Sequence, residues 1–97
     1  MVPPAIMAAM TSVRDAAGGD AAAMAELLTQ LGYPSRPQTV RERLLAIGAG
    51  PGGAVVAVEP GGGVVGLVTY DAWFAFAEGW MVCRLSSLVV DERATRG

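Results

Sequence analysis

The chain has 97 residues, 53% of them apolar, and a formal net charge of −2. A chain of this length forms one domain at most, and its apolar content argues against disorder. All seven basic residues are arginine and histidine is absent, which excludes Ser-His-Asp catalysis, the usual zinc sites and Schiff-base lysines. The negative net charge and the lack of a basic patch argue against nucleic-acid binding.

The N-terminal residues 1–9 are apolar and uncharged. They lack the basic region of a signal peptide and are too few to span a bilayer. We therefore expect a disordered extension here and a cytoplasmic protein without membrane contact. Cys83, the only cysteine, lies in an apolar run, and we expect it to be buried and reduced.

Residues 11–15 alternate weakly and predict a short first strand. Asp20 is a favourable N-cap for a following helix. The apolar stripe of this helix has i, i+3, i+4, i+7 spacing, as expected for a helix with one buried face: Met24, Leu27, Leu28 and Leu31. Gly32 provides the stop.

A second helix is predicted up to Gly48. Its start has two candidate capping boxes, Thr39 with Glu42 or, one turn earlier, Ser35 with Gln38. Four apolar residues are expected on its inner face: Val40, Leu44, Leu45 and Ile47.

From Gly53 the pattern becomes that of strands. Residues 54–59 and 64–70 predict a hairpin around a Pro-Gly-Gly-Gly turn, and residues 80–90 predict a long final strand. Residues 71–79 are expected to be a connection. The predicted order is therefore β-α-α-β-β-β.

Two local patterns are weak evidence for a site. Gly48, Gly50 and Gly53 match G-x-G-x-x-G, but a helix precedes them and a strand follows, the reverse of a dinucleotide site, so they predict a loop. Four aromatic residues are candidates for an acceptor pocket, a subunit interface or packing against the sheet: Trp73, Phe74, Phe76 and Trp80. The spacing of the four residues in the sequence does not distinguish among these three roles.

The segment from Arg84 to Gly97 is the most informative. An apolar strand ending in Leu-Val-Val runs into a short charged turn and then Arg-Gly. This resembles the centre of the GNAT N-acetyltransferases, whose fourth strand is followed by Q/R-x-x-G-x-G/A. Residues 13–15 and 31–34 resemble the N-terminal half of the same family.

The resemblance implies an α/β fold with a GNAT-like mixed sheet in β-α-α-β-β-β order, incomplete at the C-terminus. Residues 1–97 would then form a single partial domain that ends inside the acyl-CoA pyrophosphate loop. In this family the fourth strand bulges and splays away from a parallel fifth strand.

The resemblance also implies acetyl-CoA as co-substrate. By position, its binding residues are Leu88, Val89, Val90, Arg96 and Gly97. The backbone N–H of Val90 would polarise the thioester carbonyl.

The implied reaction is acetyl transfer to a primary amine of a small molecule or peptide, without a covalent enzyme intermediate or a metal. Ser86 and Ser87 occupy positions where the family often has an acidic base, so they are candidates for positioning water. Asp71 and Glu78 are substitute acids. The candidate acceptor-side residues are Tyr33, Tyr70, Asp71 and Trp73.

An alternative function is a non-catalytic, truncated GNAT-like module that dimerises through an open sheet edge. Leu85, Leu88 and Val89, with Val90, would leave an apolar edge that favours pairing with another chain. We expect that edge to be covered, either in a homo-oligomer or by a complementing C-terminal fragment.

Overall fold

The computed structural model describes residues 11–95 of the chain. The extension expected at residues 1–9 and the candidate site residues Arg96 and Gly97 lie outside the described residues. The predicted order is confirmed, with one helical turn added after the last strand. The elements are β1 (Ser12–Asp15), α1 (Ala21–Leu31), α2 (Pro37–Gly48), β2 (Gly53–Val58), β3 (Val64–Ala75), β4 (Trp80–Val90) and α3 (Glu92–Thr95).

The four strands form one antiparallel sheet in the order β1-β2-β3-β4. Helices α1 and α2 cover one face of it. Leu27 of α1, Val56 of β2 and Leu67 of β3 are the largest fully buried side chains of the described residues. Among residues 11–95, no helix is long and apolar enough to cross a membrane.

Asp20 precedes α1 as predicted, but its carboxylate does not cap that helix. It accepts two hydrogen bonds from the Arg14 guanidinium, at 2.8 and 2.9 Å, and one from the Ala17 N–H at 2.8 Å. The Arg14 hydrogen bonds and, to a smaller extent, the Ala17 N–H hold the pKa of Asp20 below its usual value. Asp20 therefore joins the end of β1 to the start of α1.

Both predicted capping boxes of the second helix are wrong. Helix α2 begins at Pro37, after Arg36 in extended conformation, because proline has a suitable φ and lacks an N–H that the first turn would leave unpaired. Thr39 consequently lies inside the helix. The stop of α1 at Gly32 is confirmed, since this residue adopts a left-handed φ of 106°.

The predicted inner face of α2 is confirmed at Val40, Leu44 and Ile47, which are buried or half-buried. Leu45 is 79% exposed, so its predicted inner position is wrong. Leu45 is the fifth residue after Val40, which turns its side chain about 140° away from the buried stripe.

The connection predicted at residues 71–79 is mostly strand. β3 continues to Ala75, and residues 71–75 pair with residues 80–84 of β4 around a turn at residues 76–79. β2 pairs no further than Tyr70, so residues 71–84 extend beyond it as a two-stranded hairpin that we call the ribbon. Cys83 lies in the ribbon and is exposed; the prediction that it is buried is wrong because neither α1 nor α2 covers this part.

Candidate functional site

A β-bulge interrupts the pairing of β4 with β3. Thr69 is opposite Ser87 and Tyr70 is opposite Leu85, which leaves Ser86 as the extra residue of β4. The hydroxyl oxygens of Thr69 and Ser86 are 2.9 Å apart and share a hydrogen bond. A bulge bends its strand and redirects the side chains beside it, so the two candidate serines lie where β4 changes direction.

After the bulge, β4 is an edge strand of the sheet that the described residues form. The Asp91 N–H donates to the Val65 carbonyl at 2.8 Å. Because successive residues of a strand direct their amides to opposite sides, the N–H groups of Val90 and Leu88 are directed away from β3. Val89 is only 8% exposed and fixes this segment to the core.

The turn after β4 is fixed by Asp91, a residue that the sequence suggested only as part of a polar turn. Its side chain is buried, accepts a hydrogen bond from the Arg93 N–H at 2.9 Å and pairs with the Arg93 guanidinium at 2.8 Å. The Arg93 side chain and then the Arg93 N–H lower the pKa of Asp91 from 3.8 to about 2. Asp91 directly precedes the four residues of α3, and aspartate is a favoured N-cap residue, so its residue type was the signal in the sequence for this role.

Two contacts connect that turn to α1. The Glu92 N–H donates to Oε1 of Gln30 at 3.0 Å, and Arg93 lies 3.5 Å from Glu26. Both partners belong to α1, so the chain leaves β4 in a direction set by the helix. Gln30 was not identified from the sequence, since nothing local to it indicates a contact 62 residues away.

A cavity of about 200 Å³ lies between the helices and the sheet next to the bulge. Apolar side chains form most of its wall, and the polar residues Arg43, Thr69 and Ser87 also line it. A small ligand in this cavity would contact Ser87 directly. A cavity therefore lies on one side of the bulge, and strand amides that are directed away from β3 lie beyond it.

The four candidate acceptor-side residues lie in three different surroundings. Tyr33 is 66% exposed in the loop between α1 and α2. Tyr70 lines a second cavity, together with Asp15 and Arg41. Asp71 and Trp73 both contact Arg84.

Arg84 is 3.0 Å from the Asp71 carboxylate, and its guanidinium carbon is 5.8 Å from the centre of the Trp73 ring. The Asp71 carboxylate is therefore engaged in an ion pair at the base of the ribbon. Glu78, the other substitute acid, lies in the turn at the tip of the ribbon. Neither position is adjacent in sequence or register to Ser86 and Ser87.

Comparison with known proteins identifies the fold through structure alone. No protein-family model matches the sequence, and no curated protein matches it. Solved structures do match. A GNAT family acetyltransferase from Staphylococcus aureus has a TM-score of 0.75 at 16% identity, over 87% of this chain and 64% of that one.

Two further structures agree. An acetyltransferase from Trypanosoma brucei has a TM-score of 0.75 at 19% identity, over 90% of this chain and 64% of that one. A possible acetyltransferase from Clostridium difficile has a TM-score of 0.69 at 16% identity, over 90% of this chain and 61% of that one. The chain thus has the GNAT acetyltransferase fold, as its sequence indicated, and spans less than two thirds of the length of these neighbours.

Proposed function

We propose that the chain belongs to an acetyl-CoA-dependent N-acetyltransferase that acts on a primary amine. One observation carries the proposal: a bulge at Ser86 is followed by an edge segment whose alternate amides face away from β3. The fold of the neighbouring acetyltransferases supports the same reading.

On the donor side, the amides of Leu88 and Val90 would pair with the pantetheine arm as a further strand would. Bound acetyl-CoA supplies the acetyl thioester. The Val90 N–H would donate to its carbonyl oxygen and stabilise the negative charge that develops there. Arg96 and Gly97 are assigned to the pyrophosphate by the family resemblance.

On the acceptor side, the amine would attack the thioester carbon directly, and the new C–N bond would form as the C–S bond breaks and CoA leaves as a thiolate. Ser86 and Ser87 are neutral and would hold a water through which the proton lost by the amine passes to that thiolate. The cavity lined by Ser87 gives the acceptor a route to the bulge. The remaining acceptor-side candidates would contact the amine-bearing molecule rather than the reacting atoms: Tyr33, Tyr70, Asp71 and Trp73.

Titration calorimetry of the full chain with acetyl-CoA tests the proposal. Val90→Pro removes the outward N–H, and proline is tolerated where an edge strand makes no ladder bond, so the sheet should be retained. We expect the wild type to bind and Val90→Pro to bind about tenfold more weakly or worse, while the matched Val90→Ala variant keeps the N–H and its affinity. No binding by the wild type at millimolar acetyl-CoA would overturn the donor-site assignment.

The alternative is a non-catalytic module that dimerises through the same edge. The exposure of Leu88 (59%) and Val90 (51%) favours it, since apolar side chains beside unpaired strand amides promote pairing with another chain. The alternative predicts no acetyl-CoA binding and a dimer that Val90→Pro weakens. For either function we propose a cytoplasmic location, consistent with the unpaired, exposed thiol of Cys83.

A further inference from the structure

The ribbon, residues 71–84, exposes more aromatic surface than any other described part of the chain. Trp73 is 44% exposed, Phe74 57%, Phe76 93% and Trp80 62%. An isolated two-stranded hairpin is only marginally stable in water. Exposed rings of this kind on an otherwise unsupported hairpin are typical of an interaction surface.

The register determines which side chains share a face. Trp73 is opposite Val82 and Ala75 is opposite Trp80, and directly opposite residues lie on one face of an antiparallel pair. Arg84 lies on that face too, because its guanidinium is over the Trp73 ring. We call this surface, with Trp73, Trp80 and Arg84, the tryptophan face.

We propose that the tryptophan face is a self-association surface and that its partner is the tryptophan face of a second copy of the chain, packed antiparallel. Tryptophan and arginine are the residues most enriched among the strongest contacts of protein interfaces. A two-fold interface needs a surface that complements itself, and the charges of the ribbon satisfy this condition.

The charge argument rests on the two ends of the ribbon. Arg84 is at its base, with a side chain 67% exposed despite its contact with Asp71, and Glu78 is exposed in the turn at its tip. In an antiparallel pair of ribbons, the tip of each lies at the base of the other. Glu78 of each copy would therefore meet Arg84 of its partner, giving two equivalent ion pairs that fix the register.

The aromatic area of the tryptophan face corresponds to a small interface. Trp73 is 44% and Trp80 62% exposed, which at about 200 Å² of surface for each aromatic side chain amounts to roughly 200 Å². That is about a quarter of the surface that each partner contributes to a standard interface. Arg84, Val82 and Glu78 supply further area beside the rings. We therefore expect a reversible dimer rather than an obligate one.

The proposal does not depend on acetyl-CoA binding, because the ribbon lies before the bulge and the candidate donor edge lies after it. Sedimentation of the full chain from micromolar to submillimolar concentration provides the first measurement. We expect a concentration-dependent dimer whose Kd rises roughly thirtyfold or more in a Trp80→Ser variant. The matched Leu45→Ser variant, which changes an even more exposed apolar residue on α2, should leave the Kd unchanged.

Charge reversal tests the register. Glu78→Arg and Arg84→Glu should each weaken the dimer through like charges, and a mixture of the two variants should associate as tightly as the wild type. A variant that merely misfolds would not be restored by mixing.

Three results would overturn the proposal: a wild-type monomer throughout the concentration range, a dimer unaffected by Trp80→Ser, or no recovery on mixing. A wild-type monomer that sediments with phosphatidylcholine vesicles would instead assign the tryptophan face to a lipid surface. A dimer weakened by Val90→Pro and not by Trp80→Ser would place self-association at the edge of β4.

Discussion

The two ends of β3 both form strand but have opposite surroundings. Leu67, in the half covered by helices, is 1% exposed, whereas Trp73, six residues later on the same face of the strand, is 44% exposed and Phe74, on the other face, is 57% exposed. Both halves are rich in residues that favour strands. The difference arises from the neighbours: β2 pairs with β3 only as far as Tyr70, and the helices pack on that same part of the sheet. Burial here follows the extent of adjacent elements rather than local composition.

The most direct test of this comparison is a pair of substitutions within β3. Leu67→Ala should lower the free energy of unfolding by about 2–5 kcal/mol, because it leaves a cavity in the core. Phe74→Ala removes a larger side chain but should cost less than about 1 kcal/mol, since its ring is already largely in water. Urea denaturation at concentrations where the chain is monomeric measures both, and equal costs would show that the ribbon is packed in solution.

The boundary between the two regions is tested at Gly52. A Cβ there would lie 2.6 Å from the Tyr70 carbonyl oxygen and 3.2 Å from the Ile47 side chain. Gly52→Ala should therefore destabilise the fold by about 1–3 kcal/mol, because a backbone atom has to move. At Gly53 the nearest atoms belong to the outer end of the Tyr70 ring, so Gly53→Ala should cost less. Thermal unfolding of the two variants gives the comparison.

A smaller effect is expected where β1 joins the covered region. Asp20→Ala removes the partner of Arg14 and the acceptor of the Ala17 N–H, which should reduce the free energy of unfolding by about 1–2 kcal/mol. Asp15→Ala is the matched control, as its side chain is exposed and should contribute little. If urea denaturation gives the same loss in the free energy of unfolding for both variants, the contacts of Asp20 do not stabilise the fold.

The smallest expected effect on stability occurs only at acidic pH. The pKa of Asp91 is lowered from 3.8 to about 2 in the folded chain, first by the Arg93 side chain. A lowered pKa contributes stability that is complete above the unfolded value and is lost as the pH falls towards the folded one. Between pH 3.8 and about 2, the Asp91→Asn variant should therefore lose less stability than the wild type. Identical pH profiles in urea denaturation would contradict this assignment.

The sequence was sufficient for the order of elements because the apolar period changes from helical to alternating near Gly53. The left-handed stop at Gly32 also followed from local chemistry. The start of α2 was mistaken because a capping pattern at Thr39 competed with Pro37, and the constraint on proline geometry is the stronger. Leu45 was mistaken because a run of apolar residues in a helix does not show how wide its buried stripe is.

The candidate site was harder to predict because its main features depend on pairing between strands. Ser86 is an extra residue only with respect to the pairing of β4 with β3. No local sequence pattern gives the register of two strands. The contact of Gln30 with Glu92 joins distant parts of the chain in the same way. The Leu-Val-Val run indicated that β4 contains the candidate site. The direction of the Val90 N–H followed only from the hydrogen bond that the Asp91 N–H donates to the Val65 carbonyl.

The position of β1 has a consequence for how the chain reaches this structure. β2, β3 and β4 follow one another with short turns, so their pairing closes small loops. Ser12 pairs with Val58 across both helices, and such distant contacts are slow to form because the entropy of closing the loop is lost first. We expect the three-stranded meander to form early and β1 to join the sheet last, which makes β1 the first strand to detach when the protein is stressed.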